Sequence, residues 1–119
     1  MLENNYPNEI ILTVQSCGKI TKKKYRLGIG YNDSRLIFKK RKLKVMLEIE
    51  KEIIETSTTC GHPLKKGFDL YHFILDRWIK DNSFSDYIKG SPTKLIFQIV
   101  EIVEDTIVKL KFKKKLKIS

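Results

Sequence analysis

Residues 94–119 read KLIFQIVEIVEDTIVKLKFKKKLKIS, and the way these residues alternate decides the fold. In the second half Val108, Leu110, Phe112, Leu116 and Ile118 occupy even positions, while Lys109, Lys111, Lys113, Lys115 and Lys117 occupy odd ones. A period of two is the strand period, so this segment predicts a strand with one apolar face and one uniformly positive face. Residues 94–103 form a strongly apolar strand before it, and Glu104-Asp105 is the turn between the two. The pair is therefore an antiparallel hairpin, and the odd-numbered lysines stand roughly 6.5–7 Å apart along it.

The same reading extends toward the N-terminus. Residues 8–17 (NEIILTVQSC) are β-branched and apolar and end at Gly18, which predicts a first strand. Residues 24–31 alternate, with Tyr25, Leu27, Ile29 and Tyr31 on one face and Lys24, Arg26, Gly28 and Gly30 on the other. Asn32-Asp33 then tolerates a tight turn, and residues 34–39 return as a third strand. Leu43, Val45, Leu47 and Ile49 continue the alternation in a fourth strand reaching toward Thr59. A helix over 43–55 competes with it, and the absence of a helix stop before TSTT favours the strand.

Residues 60–67 (CGHPLKKG) are a loop. Asp69 then caps a helix over residues 69–82, whose stripe of Leu70, Tyr71, Phe73, Ile74, Leu75, Trp78 and Ile79 faces the core. Phe84, Tyr87 and Ile88 add a short turn ended by Gly90 and Pro92. The expected order is ββββ-α-ββ, an α+β fold in which an antiparallel sheet of about six strands packs on one main helix.

Length and composition bound the rest. The chain has 119 residues, a 41% hydrophobic share and twelve aromatics, which suits one domain, 1–119, with a packed core. No run approaches the roughly 18–20 apolar residues that span a bilayer, and residues 1–10 lack a secretory pattern, so a cytoplasmic protein is expected. The two cysteines, Cys17 and Cys60, are too few for a secreted disulfide scaffold.

The formal charge is +10, and its distribution says more than its size. The chain has no alanine but twenty lysines and sixteen isoleucines, a bias that AT-rich coding would produce by itself. Drift of that kind scatters lysine, whereas 17 of the 24 basic residues lie in residues 19–44 and 106–119. Segregated charge is the footprint of a polyanion-binding face. The expected contacts are Lys22, Lys24, Arg26, Arg35, Lys39, Lys40, Arg41, Lys42, Lys109, Lys111, Lys113, Lys115 and Lys117. Their partner would be nucleic acid, DNA or RNA, or another polyanion, held through phosphates with little sequence preference.

Lysines on a solvated edge strand are the plain alternative, since they also prevent aggregation. An assembly protein of a virus or mobile element, adding an edge strand to a partner or to a second copy, is a further reading. A small nuclease is a third, because Asp69, His72 and Asp76 would share one helix face, with His62 nearby. Their spacing matches no metal or catalytic pattern, so no catalytic residue, metal ligand or cofactor is assigned. Leu27-Gly28-Ile29-Gly30 is not a nucleotide fingerprint; its glycines make room on the sheet face for a neighbouring side chain, a bulge or a close-approaching backbone.

Overall fold

A computed structural model describes residues 8–17, 24–30, 44–57, 68–88, 90–103 and 107–116. Seven strands and one helix are defined among them: β1 (Glu9–Cys17), β2 (Lys24–Ile29), β3 (Lys44–Ile49), β4 (Glu52–Ser57), β5 (Phe68–Leu70), α1 (Phe73–Asp81), β6 (Lys94–Val103) and β7 (Ile107–Lys115). The strands form one sheet in the order β4-β3-β7-β6-β1-β2-β5. Three antiparallel pairs consecutive in the chain, β1–β2, β3–β4 and β6–β7, lie side by side in it.

The sheet is mixed, not purely antiparallel as expected. The β6–β7 and β1–β2 pairs join antiparallel through β1 and β6, but β3 lies parallel to β7, Val45 opposite Val108 and Leu47 opposite Leu110. That register places the apolar rows of both strands on one face, which is what fixes the pairing. The sheet is nearly barrel-shaped: Thr56 on edge strand β4 donates through Oγ1 to the carbonyl of Tyr71, just past edge strand β5, at 2.7 Å.

The inward face is the core. Ile10, Leu12 and Val14 of β1, Leu27 and Ile29 of β2, Val45, Leu47 and Ile49 of β3, Ile54 of β4 and Leu70 of β5 are buried. Leu95, Phe97 and Ile99 of β6 and Val108 and Leu110 of β7 complete the sheet's share. Each such side chain contributes about 1.5–3 kcal/mol relative to exposure, so this face dominates the stability of the domain.

The helix packs on the same inward face through Leu75, Trp78 and Ile79, at i, i+3 and i+4. Trp78 meets Phe84, Phe97 and Phe112 edge-on, with ring centroids 5.2, 6.5 and 4.9 Å away. On the side facing β2, Asp76 accepts the backbone N–H of Tyr25 at 2.7 Å. Tyr25 itself packs against the core, as its place in the apolar row of β2 implied.

Three expectations need correction. Residues 44–57 are not one strand but a hairpin, turning at Glu50 and Lys51 with Glu50 in the left-handed region at φ 54°, while residues 43, 58 and 59 of the expected strand lie outside the described residues. The inward residues switch from odd (45, 47, 49) to even (54) across it, which a two-residue turn requires. The helix does not span 69–82 but begins at Phe73, with His72 as its cap, the imidazole Nδ1 accepting from the Ile74 N–H at 3.1 Å. The residues before it form β5, where Asp69 lies opposite Gly28 and reaches Arg26, so its carboxylate serves an ion pair and not a helix end. The expected third strand, residues 34–39, lies outside the described residues.

Candidate nucleic-acid interface

The registers assign every described cation of the sheet to a face. On β7, Lys109 and Lys111 alternate with the buried Val108 and Leu110 and so point outward, away from the helix. The pairing slips between Ile96 and Phe97: Phe97 faces Phe112, but Ile96 faces Lys114. This bulge adds a residue at Lys113, so Lys113 and Lys114 both belong to the outer face. Beyond it the parity is inverted. Lys115 stands opposite Leu95 and lines a cleft with Tyr87, Ile88, Pro92 and Leu116 on the helix side. Lys115 is therefore not in line with Lys109, Lys111 and Lys113, while Lys114, at an even position of the sequence, is.

The first basic segment reaches the same face. Arg26 lies opposite Gln15, and Lys24 opposite Cys17, both out of phase with the buried Leu27. Lys94, opposite Thr13, and Lys44, in phase with the outward Met46, complete the described cations there. From Lys111, level with Gln98 and Glu9, to Arg26, level with Gln15, the cations cross β7, β6, β1 and β2 diagonally. Three strand spacings and about six residues of rise make a track on the order of 20–25 Å. Lys22, Arg35, Lys39, Lys40, Arg41, Lys42 and Lys117 lie outside the described residues.

The track is not bare. Lys109 pairs with Glu101 at 3.2 Å, Lys111 with Glu48 at 3.5 Å, Lys113 with Glu9, and Lys44 with Glu55 at 3.0 Å. Each of those side chains is about half exposed. Arg26 and Asp69, 3.2 Å apart, are more enclosed. The outer face thus carries five carboxylates, Glu9, Glu48, Glu55, Asp69 and Glu101, among the cations Lys24, Arg26, Lys44, Lys94, Lys109, Lys111, Lys113 and Lys114, and it stays net positive. Sequence reasoning missed this mosaic. The outward parity of each acid is readable, but its lysine partner depends on the strand order, above all on the parallel β3–β7 contact.

The residues considered for chemistry are dispersed. Asp69 lies on β5 with Arg26, His72 caps α1, and Asp76 sits a turn into the helix holding Lys80 at 3.1 Å. Among the described residues no three His, Cys, Asp or Glu side chains gather as a metal site would need. His62 and Cys60 lie outside them. Gly28 does make room: a Cβ there would stand 2.6 Å from the Gln15 amide nitrogen. No described helix is long and apolar enough to cross a membrane.

The described residues thus form an α+β arrangement, a nearly barrel-shaped mixed sheet packed on α1, with a cation track on its outer face. Comparison with protein-family models, with curated proteins and with solved structures finds no match.

Proposed function

We propose that this protein binds nucleic acid, or a polyanion of like phosphate spacing, on the outer face of its sheet, opposite α1. One observation carries the reading: Lys24 and Arg26, from the first basic segment, emerge on the same face as Lys109, Lys111, Lys113 and Lys114, from the second. Segments about eighty residues apart in sequence converge there, which coding bias does not require.

The acids do not oppose this. An exposed lysine–carboxylate pair contributes about 0–1 kcal/mol, so a phosphate can displace the carboxylate at small cost. Lysine acts as a flexible point charge, and binding through it follows phosphates more than bases. The test is fluorescence anisotropy of labelled duplex and single-stranded oligonucleotides titrated with salt. A linear fall of log affinity with log salt is expected, with a slope of about −0.7 to −0.9 per phosphate engaged. Failure to bind at low salt, or affinity indifferent to salt, refutes the reading.

Assembly through an edge is the second reading, favoured by Ile53, which stands 64% exposed on edge strand β4. A concentration-dependent dimer that Ile53→Lys dissolves, with no nucleic-acid affinity, would replace the first reading by this one.

A further inference from the structure

The cation track leads to two aromatic rings that the core does not use. Arg26 lies one register step beyond the Leu27–Leu70 pair, so Tyr71 follows β5 on the outer side, beside Arg26 and Lys24. The residue is 38% exposed, and the Lys24 ammonium sits 6.0 Å from its ring centroid. Two residues on, Phe73, a residue 59% exposed, opens the helix with its ring stacked on the His72 imidazole at 4.7 Å and 24°. His72 is held in turn by its bond to the Ile74 N–H, and the Tyr71 carbonyl by Thr56. Both backbone positions are therefore fixed, and each side chain keeps exposed surface beyond the neighbour it rests on, Tyr71 beside Lys24 and Phe73 against His72.

Packing gives no reason for this exposure. The helix buries Leu75, Trp78 and Ile79, and Phe73 lies off that stripe; a polar residue there would leave the core unchanged. A partly exposed aromatic side chain beside cations, as Tyr71 is beside Lys24, is instead what an unstacked base seeks. In a duplex the bases are already stacked on one another, and their faces cannot reach a protein ring. A single strand presents them.

Resting on the polyanion reading above, we infer that the Tyr71–His72–Phe73 segment is a base-stacking platform, and that the preferred partner is a single-stranded nucleic acid. Its phosphates follow the track from Lys111 to Lys24, and its bases stack on Phe73 and Tyr71 at the end of that track. Asp69 and Asp76, within three residues of the platform in sequence, are engaged by Arg26 and by Lys80 with the Tyr25 N–H, and Glu55, beside the Thr56 that bonds the Tyr71 carbonyl, is engaged by Lys44, so repulsion of the incoming strand is reduced there.

The experiment compares three labelled probes on the full chain: an oligothymidylate of about 15 nucleotides, the same phosphodiester chain with abasic residues, and a duplex of equal length. The oligothymidylate is expected to bind tightest. Phe73→Ala and Tyr71→Ala should each weaken it about 5- to 150-fold, the range measured for losing one stacked base, and leave the abasic chain unaffected. Phe73→Tyr and Tyr71→Phe keep the π-face and should retain the affinity, while circular dichroism confirms that each variant folds. Equal binding of the abasic and base-bearing chains, tighter binding of the duplex, or alanine variants that bind like the parent overturns the platform and leaves polyanion binding standing. Absence of binding by all three probes at low salt overturns both.

Discussion

Neutralising the acids of the outer face is expected to strengthen polyanion binding. The perturbation is Glu9→Gln, Glu48→Gln and Glu101→Gln together, which removes the carboxylates paired with Lys113, Lys111 and Lys109. In the parent, each of these lysines must leave its carboxylate to meet a phosphate, and the abandoned carboxylate recruits a cation that offsets the one the nucleic acid releases. In the variant that offset is gone. The salt slope should steepen by about 0.7 per lysine on a single strand and 0.9 on a duplex, about 2 to 3 in all. Between about 50 and 200 mM salt, that adds roughly a 20- to 40-fold loss of affinity to the parent's, with the tightest binding at the low-salt end. The folded state should change little, because exposed pairs are weak. Glu50→Gln, Asp81→Asn and Asp86→Asn together serve as control: they give the same net charge from exposed acids on the turn and helix side. Anisotropy titrations of both triples decide the matter. An unchanged slope in the face variant, or an equal gain in the control, refutes the claim that this face makes the contact.

Three further outcomes test the framework that holds the site. His72→Ala removes the imidazole that receives the Ile74 N–H and should cost about 1 kcal/mol in a urea titration, whereas His72→Asp, a better cap, should restore or exceed parent stability. Phe97→Ala empties a fully buried position between Trp78 and Phe112 and should cost about 3–5 kcal/mol, a large part of the stability of a domain this size, seen as a lower urea midpoint. Glu50→Gly relieves a left-handed residue at the β3–β4 turn and should stabilise the fold by up to about 1 kcal/mol, seen as a higher urea midpoint.

Strand character was legible wherever one face is apolar without interruption. Ile10, Leu12 and Val14 alternate, as do Leu27 and Ile29, and Val108 and Leu110, and these rows are the core. The β3–β4 turn was hidden because Glu50-Lys51 carries no glycine, asparagine or proline; the shift of apolar residues from odd to even positions was its only trace. The bulge left a similar trace, since Lys114 interrupts the even-numbered apolar row at the point where pairing slips. The helix start was misread because Asp69 is a better cap than histidine by propensity, yet Arg26 on the adjacent strand claims its carboxylate. Tyr71 belongs to the extended chain before the helix and not to its apolar stripe, and Phe73, although helical, falls off the stripe of Leu75, Trp78 and Ile79, so both stay exposed. The order of the hairpins, the parallel contact and the near-closure of the sheet depend on contacts far apart in sequence, which no local period encodes.

The pairing of the lysines also explains how such a row can exist before any partner arrives. Three like charges about 6.5–7 Å apart on one strand repel by roughly 0.6 kcal/mol per neighbouring pair in water, and Lys114 at the bulge adds to that. Glu48 from β3, Glu101 from β6 and Glu9 from β1 stand on both flanks of the row and relieve this repulsion from three different strands. A row relieved by tightly buried acids would be committed to the fold and closed to phosphate. These pairs remain about half exposed, so they hold the lysines in place at low cost and give them up at low cost. Arg26 differs: its pair with Asp69 is the most enclosed on the face, and it anchors the short strand β5 that leads into Tyr71 and Phe73. On this account the β7 lysines exchange partners when a strand binds, while Arg26 keeps its partner and fixes the end of the track where the exposed rings stand.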